Sequence, residues 1–325
     1  MTALTRRRRP LAGALLLTAA FLTAACSGVS QTPLPSIATT PVTIPSAAAT
    51  QSCSRPTASY APTGTLPAPT SLPAGSTMAE IRKRGRLIAG VSADTYLLGA
   101  RNPLSGKIEG FDIDLVHQIA DAILGPNGKV ELRVITAADR VPVLQDHEVD
   151  VVVRAMTINC DRWTKIAFSA EYYHAGQKLL VGRGSKITSF ADVGSARVCA
   201  PTGTSSLANL RRLAPSSTIV TASTHTGCLV AFQEGKADAI TGDDTVLAGL
   251  AAQDPYAVVL AGKPVTDEPY GVGVAKDQVD LVRFVNGVLE RMHTDGAWQR
   301  SYDTWLAPTL GKGTGQPTPL YGRGS

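Results

Sequence analysis

Thr157 and Arg162 stand five residues apart in MTINCDRWTK, the run that begins at Met156. The pair suits a carboxylate. An arginine fork makes two parallel charge-assisted bonds and keeps its charge, while a threonine adds a hydroxyl and a backbone N–H. A solvated ion pair of Arg162 with Asp161 or Glu171 is the plainer alternative. Downstream, TGTSSLANL places Thr204 and Ser205 where a glycine turn feeds a helix. Free N–H groups and hydroxyls there could clamp the same anion, or Thr204 could simply cap the helix. Asp243, in ITGDD, ends a strand, which is where α/β sheets expose ligands. A carboxylate there suits a cation, with Asp244 as its competitor and a helix N-cap as its structural alternative.

The elements that must position these residues alternate. GRLIAGVSADTY (85–96) reads as a buried first strand. EGFDIDLVHQIADAIL (109–124) sets Phe111, Leu115, Ile119 and Ile123 at fourfold spacing with Val116 and Ala120 alongside, one apolar helix face. KVELRVIT alternates as a strand, and RVPVLQDHEVDVVVRAMT reads as short helix, turn and strand. After FSAEYYHAGQKLLVGRGS the pattern restarts: ARVCAPTGTSSLANLRRL is strand, turn and helix, and CLVAFQEGKADAITGDDTVLAGLAA is helix, turn, strand and helix. The class is therefore α/β, and two similar units joined by extended segments suggest two lobes.

The N-terminus is of another kind. Four arginines, an apolar run from Leu11 to Leu22 and small residues up to Ala25 form an export signal over 1–25, too short in its apolar part for an ordinary spanning helix. Cys26 follows directly, as in the lipobox of bacterial lipoproteins, although Leu22 sits one place early; cleavage nearby with a free Cys26 thiol is the alternative. From Ser27 to Thr77 the only charge is Arg55, so residues 26–77 are expected to be a disordered tether on the order of 40 Å in reach. Residues 307–325 are expected to be a disordered tail. Removing 1–25 takes four arginines and no acid, leaving 27 basic residues against 26 acidic. No basic cluster remains to track a phosphate backbone, which argues against nucleic acid.

Beyond Cys26 the cysteines are Cys53, Cys160, Cys199 and Cys228, an even number that favours two disulfides outside the cytoplasm. Of three pairings we favour Cys199–Cys228, whose partners lie in one continuous segment, and Cys53–Cys160 by elimination. The histidines, at 117, 147, 174, 225 and 293, lack metal-ligand spacing, and no GxSxG elbow, Walker loop or dinucleotide fingerprint occurs. No cofactor is expected.

The order GFDIDL, MTINCDRWTKIAFSAEYY, APTGTSS, ADAITGDD and YGVGVAKDQVDLVRFVNGVLERMHTDGAWQRSYDTWL resembles the periplasmic-type solute-binding proteins for polar amino acids, the receptors of ABC importers. The likeness is to their glutamine/glutamate/aspartate branch and extends to glutamine-binding lipoproteins of actinobacteria. It implies a two-lobed periplasmic-binding-protein fold of type II, with lobe one at 78–173 plus 274–306 and lobe two at 174–273. Two hinge strands would cross near Tyr172–Gly176 and Tyr270–Val274, with a polar amino acid bound in the cleft by closure. Thr157 and Arg162 would take its α-carboxylate with Thr204 and Ser205, and Asp243 its α-ammonium. Ala155 would join the ligand set, and Tyr96 would form an apolar wall, although a core tyrosine is nearly as good a reading.

The family's usual lysine or small residue before its GT turn is Pro201–Thr202 here. Arg101, Arg140, Arg154 and Lys178 are the basic residues near cleft-facing segments, each expected at the solvated surface. Any one entering the pocket would favour an acidic side chain; none would favour glutamine. The resemblance implies a monomeric, lipid-anchored receptor on the extracytoplasmic face of the cell membrane, delivering to an ABC permease and not an enzyme. A membrane sensor is the alternative partner. Dehydratases and lyases that share the architecture are a more distant alternative and would need a positioned general acid or base.

Overall fold

The computed structural model describes residues 53–324, so the export signal, Cys26 and the tether before Cys53 lie outside the described residues. The chain runs through α1 (Thr77–Arg84), β1 (Leu87–Val91), β2 (Asp94–Thr95), β3 (Gly99–Arg101), β4 (Ile108–Glu109), α2 (Phe111–Leu124), β5 (Val130–Val134), α3 (Pro142–Gln145), β6 (Val151–Val152) and α4 (Cys160–Lys165). The long β7 (Ala167–Gly182) leads to β8 (Arg197–Pro201), α5 (Ser205–Leu213), β9 (Thr218–Ala222), α6 (His225–Gln233), β10 (Ala239–Asp243), α7 (Asp244–Gln253) and β11 (Ala257–Val259). β12 (Asp267–Val274) then returns to α8 (Val279–Thr294), α9 (Ala297–Trp305) and α10 (Ala307–Leu310).

The strands line up as β5-β1-β6-β12-β7-β10-β8-β9, with β11 also on β7. β7 is what makes this two lobes. Its first half pairs with β12, and its second half, from Gln177 to Gly182, pairs with β10 and β11. Gly273 and Val274 already pair with Val152 and Val151 of β6. The second crossing is therefore at Asp267–Tyr270, opposite Tyr173–Gly176, and earlier than the Tyr270–Val274 expected from sequence.

β1 is buried along its whole length because parallel neighbours flank it on both edges, and helices must cover such sheets on both faces. α2, α8 and α9 pack together over the first lobe, where Phe111 meets Trp298 edge-on, the ring centroids 5.6 Å apart, and Trp298 Nε1 donates to Tyr172 O at 2.7 Å. In the second lobe alternate residues point to opposite faces, as pleating requires. Leu179, Val181 and Val198 pack with Leu207 and Leu210 on one side, and Leu180, Cys199 and Ile240 with Cys228 and Leu229 on the other. Cys199 is bonded to Cys228 and Cys53 to Cys160, with Cα atoms 5.5 and 5.8 Å apart.

Both segments expected to be disordered depart from that reading within the described residues. Ser59 is fully buried and donates to Phe168 O, Trp163 Nε1 donates to Pro56 O, and Asn286 Nδ2 donates to Tyr60 O. The C-terminal segment joins this strap: Tyr321 bridges Ser59, and the Arg323 guanidinium lies 3.6 Å from the Trp163 ring centre. Neither segment has apolar residues enough for a core of its own, which is what composition measures. Each instead buries a few side chains, such as Ala58, Tyr60 and Leu66, on a lobe that is already folded.

Candidate functional site

A cavity of about 20 Å³ lies between the lobes, lined among others by Thr95, Arg140, Arg154, Ala155, Thr157, Thr204, Ser205, Ser206, His225 and Asp243. That is room for about one water. The lobes are pressed together. Gly203, at φ +74°, approaches Ala138 so closely that a Cβ would stand 2.5 Å from its Cα, and a Cβ on Gly249 of α7 would stand 2.6 Å from Tyr96 O. Thr226 Oγ1 of α6 also donates to Asp94 O at 2.8 Å.

Five sequence candidates, Ala155, Thr157, Thr204, Ser205 and Asp243, line the cavity, with Arg162 bonded beside it. Asn159 caps α4 by accepting from Arg162 N, which aims the Arg162 side chain inward. The guanidinium donates to Thr157 O at 2.5 Å and across the cleft to Gly203 O at 3.3 Å. It forms no ion pair with Asp161 or Glu171; Asp161 pairs with Lys165 and Glu171 with His174. Thr204 is the N-cap of α5, accepting from Leu207 N, and it also lines the cavity.

Asp243 makes no cap bond although it stands at the N-cap of α7. Its carboxylate accepts from Tyr270 Oη at 2.7 Å and weakly from Ser206 Oγ at 3.4 Å. Burial, with the nearby Glu268 charge adding to it, pushes the Asp243 carboxyl up to about 8. Asp244 turns the other way, toward the Gly176 amide of β7.

Tyr96 departs from its expected place. The residue is 47% exposed and Thr95 takes the position at the cavity. Arg101 and Lys178 stay outside, Arg101 donating to Gly106 O at 2.6 Å. Arg140 and Arg154 are both buried at the cavity, against the solvated positions expected for them. Carbonyl oxygens make this possible: Arg140 donates to Ala137, Arg154, Ala155 and Gly203, and Arg154 donates to Ile135. Burial pulls the Arg140 guanidinium well below its ordinary range, and repulsion from Arg162 and Arg154 adds to that. No ion pair reaches Arg140, Arg154 or Arg162 among the described residues.

Three further groups escaped the sequence reading. Asp112 accepts from Ala155 N and Tyr172 Oη, both at 2.8 Å, and so holds Ala155 at φ +41°, a left-handed conformation unusual for alanine. His225 buries Nε2 at the cavity without a partner, and burial pushes the imidazole down to about 3, so it is neutral. Glu268, in the crossing strand β12, accepts at Oε2 from Thr157 Oγ1 at 2.7 Å and from Ser205 Oγ at 2.6 Å. Those are the hydroxyls expected to face a ligand carboxylate. The only signal for Glu268 in the sequence was its place, after Asp267, at the start of a strand that is apolar from Pro269 onward. Among the described residues no cluster of His, Cys, Asp or Glu could hold a metal ion, and no helix is long and apolar enough to cross a membrane.

Residues 87–308 match the model of the bacterial extracellular solute-binding proteins, family 3. The chain is 39% identical over 231 residues to the ABC transporter glutamine-binding protein GlnH of Bacillus subtilis, covering 71% of this chain and 84% of that one. It is 31% identical over 241 residues to the glutamate-binding protein GluB of Corynebacterium efficiens, covering 71% and 80%. Among solved structures, an ancestral amino acid-binding protein described as a precursor of cyclohexadienyl dehydratase aligns at a TM-score of 0.65 with 33% identity, covering 71% of this chain and all of that one. A mutant of the arginine-binding protein of T. maritima aligns at 0.66 with 28% identity, covering 71% and 99%. Together with the two lobes, the shared crossing strands and the polar cavity between them, these matches make the chain a member of the bacterial extracellular solute-binding proteins, family 3.

Proposed function

We propose that this protein is the extracytoplasmic receptor of an ABC amino-acid importer, anchored through Cys26, and that it closes its two lobes on an amino acid of the glutamine/glutamate/aspartate class. The observation that carries the reading is a set of buried guanidinium groups without a carboxylate ion pair, Arg140 and Arg154 lining a 20 Å³ cavity and Arg162 bonded beside it, with the buried Asp243 on the same cavity. Burying charge is costly unless it is paired, and a zwitterion supplies the partners. Arg162 and the free N–H groups at the start of α5 take the α-carboxylate, and Asp243 takes the α-ammonium. The side chain is left to Arg140, Arg154 and the neutral His225. Because Arg140 is crowded by cations, an acidic side chain relieves more repulsion there than an amide does, so glutamate and aspartate bind more tightly than glutamine. The names of the relatives, glutamine-binding and glutamate-binding, support the class.

Calorimetric titration of the domain with the twenty amino acids tests this. Tightest binding of the dicarboxylic amino acids is expected, and tightest binding of lysine or arginine would overturn the reading. Arg162→Ala and Asp243→Ala should each weaken binding at least about 30-fold, since truncating one partner of a buried charged pair costs about 2–5 kcal/mol. Arg140→Met should shift preference toward glutamine. Cys26→Ala should release the protein from membranes, and a variant that still partitions with them removes the anchor from the proposal. Steady loss of substrate on incubation with the protein would favour the dehydratase-like alternative.

A further inference from the structure

Glu268 is 1% exposed and lies in the crossing strand β12, joined to the ligand cavity only through other side chains. We propose that Glu268 is a positioning residue that turns the hydroxyls of Thr157 and Ser205 into acceptors for the α-ammonium of the bound amino acid. The inference rests on the receptor reading above and changes which end of the ligand these hydroxyls meet.

A hydroxyl has one proton to donate and two lone pairs, and a carboxylate only accepts. Thr157 Oγ1 lies 2.7 Å and Ser205 Oγ 2.6 Å from the same oxygen, Glu268 Oε2, and the two hydroxyl oxygens are 3.0 Å apart. Whichever of these contacts each proton takes, both protons lie within the triangle of oxygens. Only lone pairs then remain for the cavity that both residues line. A lone pair repels a carboxylate and accepts from an ammonium. The hydroxyls therefore belong with Asp243 on the cation side, and the anion side is left to Arg162 and backbone N–H groups.

The other oxygen of Glu268 holds it in this role. Oε1 accepts from Thr266 Oγ1 at 2.7 Å and from Asn209 Nδ2 at 3.0 Å. Asn209 Nδ2 is in turn 2.9 Å from Gln177 Oε1 on β7. Glu268 is thus tied to both crossing strands and to α5, while Thr157 reaches it from the first lobe. Backbone pairing with β12 already sets Thr157 beside Glu268, and α5 brings the Ser205 hydroxyl to the same oxygen from the second lobe.

The test uses two probes, L-glutamate and glutarate, which has the same two carboxylates without the ammonium. Both are titrated into the wild-type domain and into the Glu268→Gln and Thr157→Val variants, glutarate by competition up to millimolar concentration. Each substitution should weaken L-glutamate about tenfold or more, the size of a hydrogen bond to a charged group, and leave glutarate within about twofold. Thr157→Val added to Glu268→Gln should cost little more, because one acts through the other. Equal loss for both probes, or no loss for L-glutamate, overturns the proposal. If Glu268→Gln does not fold, Thr157→Val decides alone, since valine keeps the shape and removes the acceptor. Wild-type protein that binds no amino acid overturns the receptor reading, and wild type that binds both probes equally overturns only this inference.

Discussion

The first lobe buries one continuous apolar core that gathers β1, α2, α8, α9 and the aromatic groups at Phe111, Tyr172, Tyr270 and Trp298, and it also receives both ends of the described chain. The second lobe has two smaller clusters, one on each face of its sheet, and the bridge between Cys199 and Cys228 lies inside one of them. The titratable groups at the cavity differ as well: Arg140 and Arg154, with Arg162 beside them, come from the first lobe, and Asp243 and the neutral His225 from the second. Apolar burial and ligand charge are thus divided unequally. A small core leaves little margin once chain entropy is counted, and a covalent cross-link is one way to offset that.

The largest test of this contrast is Cys199→Ala/Cys228→Ala. Losing a bridge that spans 29 residues should remove about 3–4 kcal/mol on the chain-entropy estimate. Hydrogen exchange should quicken in β8, β9 and α6 while β1 and α2 keep their protection. Equal loss in both lobes would break the contrast. Next comes Gly249→Ala, which leaves each lobe intact and sets a Cβ against Tyr96 O across the cleft. Overpacking of about 1–3 kcal/mol predicts binding weakened by about 5-fold to 150-fold. The ligand-free melting temperature should not fall, because alanine favours helix over glycine; a lower one would place the effect inside the lobe.

The pH dependence of binding is smaller per unit. Burial, Glu268 and Asp244 hold the ligand-free Asp243 carboxyl up at about 8 against the pull of Tyr270 and Arg140. An ammonium needs the charged form, so binding releases a proton and affinity rises with pH up to about 8, by up to about tenfold per unit, then levels off. His225, held down at about 3, adds nothing in that window. Calorimetry between pH 6 and 9 should show the slope in wild type, and Asp243→Asn should abolish it; a slope that persists assigns the proton elsewhere. Smallest is Arg323→Ala, which removes the cation over Trp163 and should lower first-lobe stability by about 0.5–1 kcal/mol in thermal melts, without touching the second lobe.

Several parts of this molecule were legible before any coordinates. The fourfold spacing through Phe111, Leu115, Ile119 and Ile123 is a helix, and the two αβ units are two lobes. Local periodicity carries that information because each element must bury one face. The strap from Cys53 was misread for the converse reason. Its order comes from surface that the first lobe supplies, which no window of the strap's own residues contains.

The cavity divides in the same way. Short-range chemistry in the chain marks Arg162 as a fork and Thr204 as the start of a helix, because each of these acts on backbone within a few residues. The burial of Arg140 and Arg154, the displacement of Tyr96 by Thr95 and the grip of Glu268 on Thr157 and Ser205 depend on partners far away in sequence, up to 111 residues for Thr157 and Glu268. The sequence by itself determined which residue types could hold a zwitterion and in what order the elements carry them. Only the tertiary structure decided which hydroxyls meet Glu268 and which charges lose their water, because both depend on segments far apart in the chain being brought together by two lobes around a shared pair of strands.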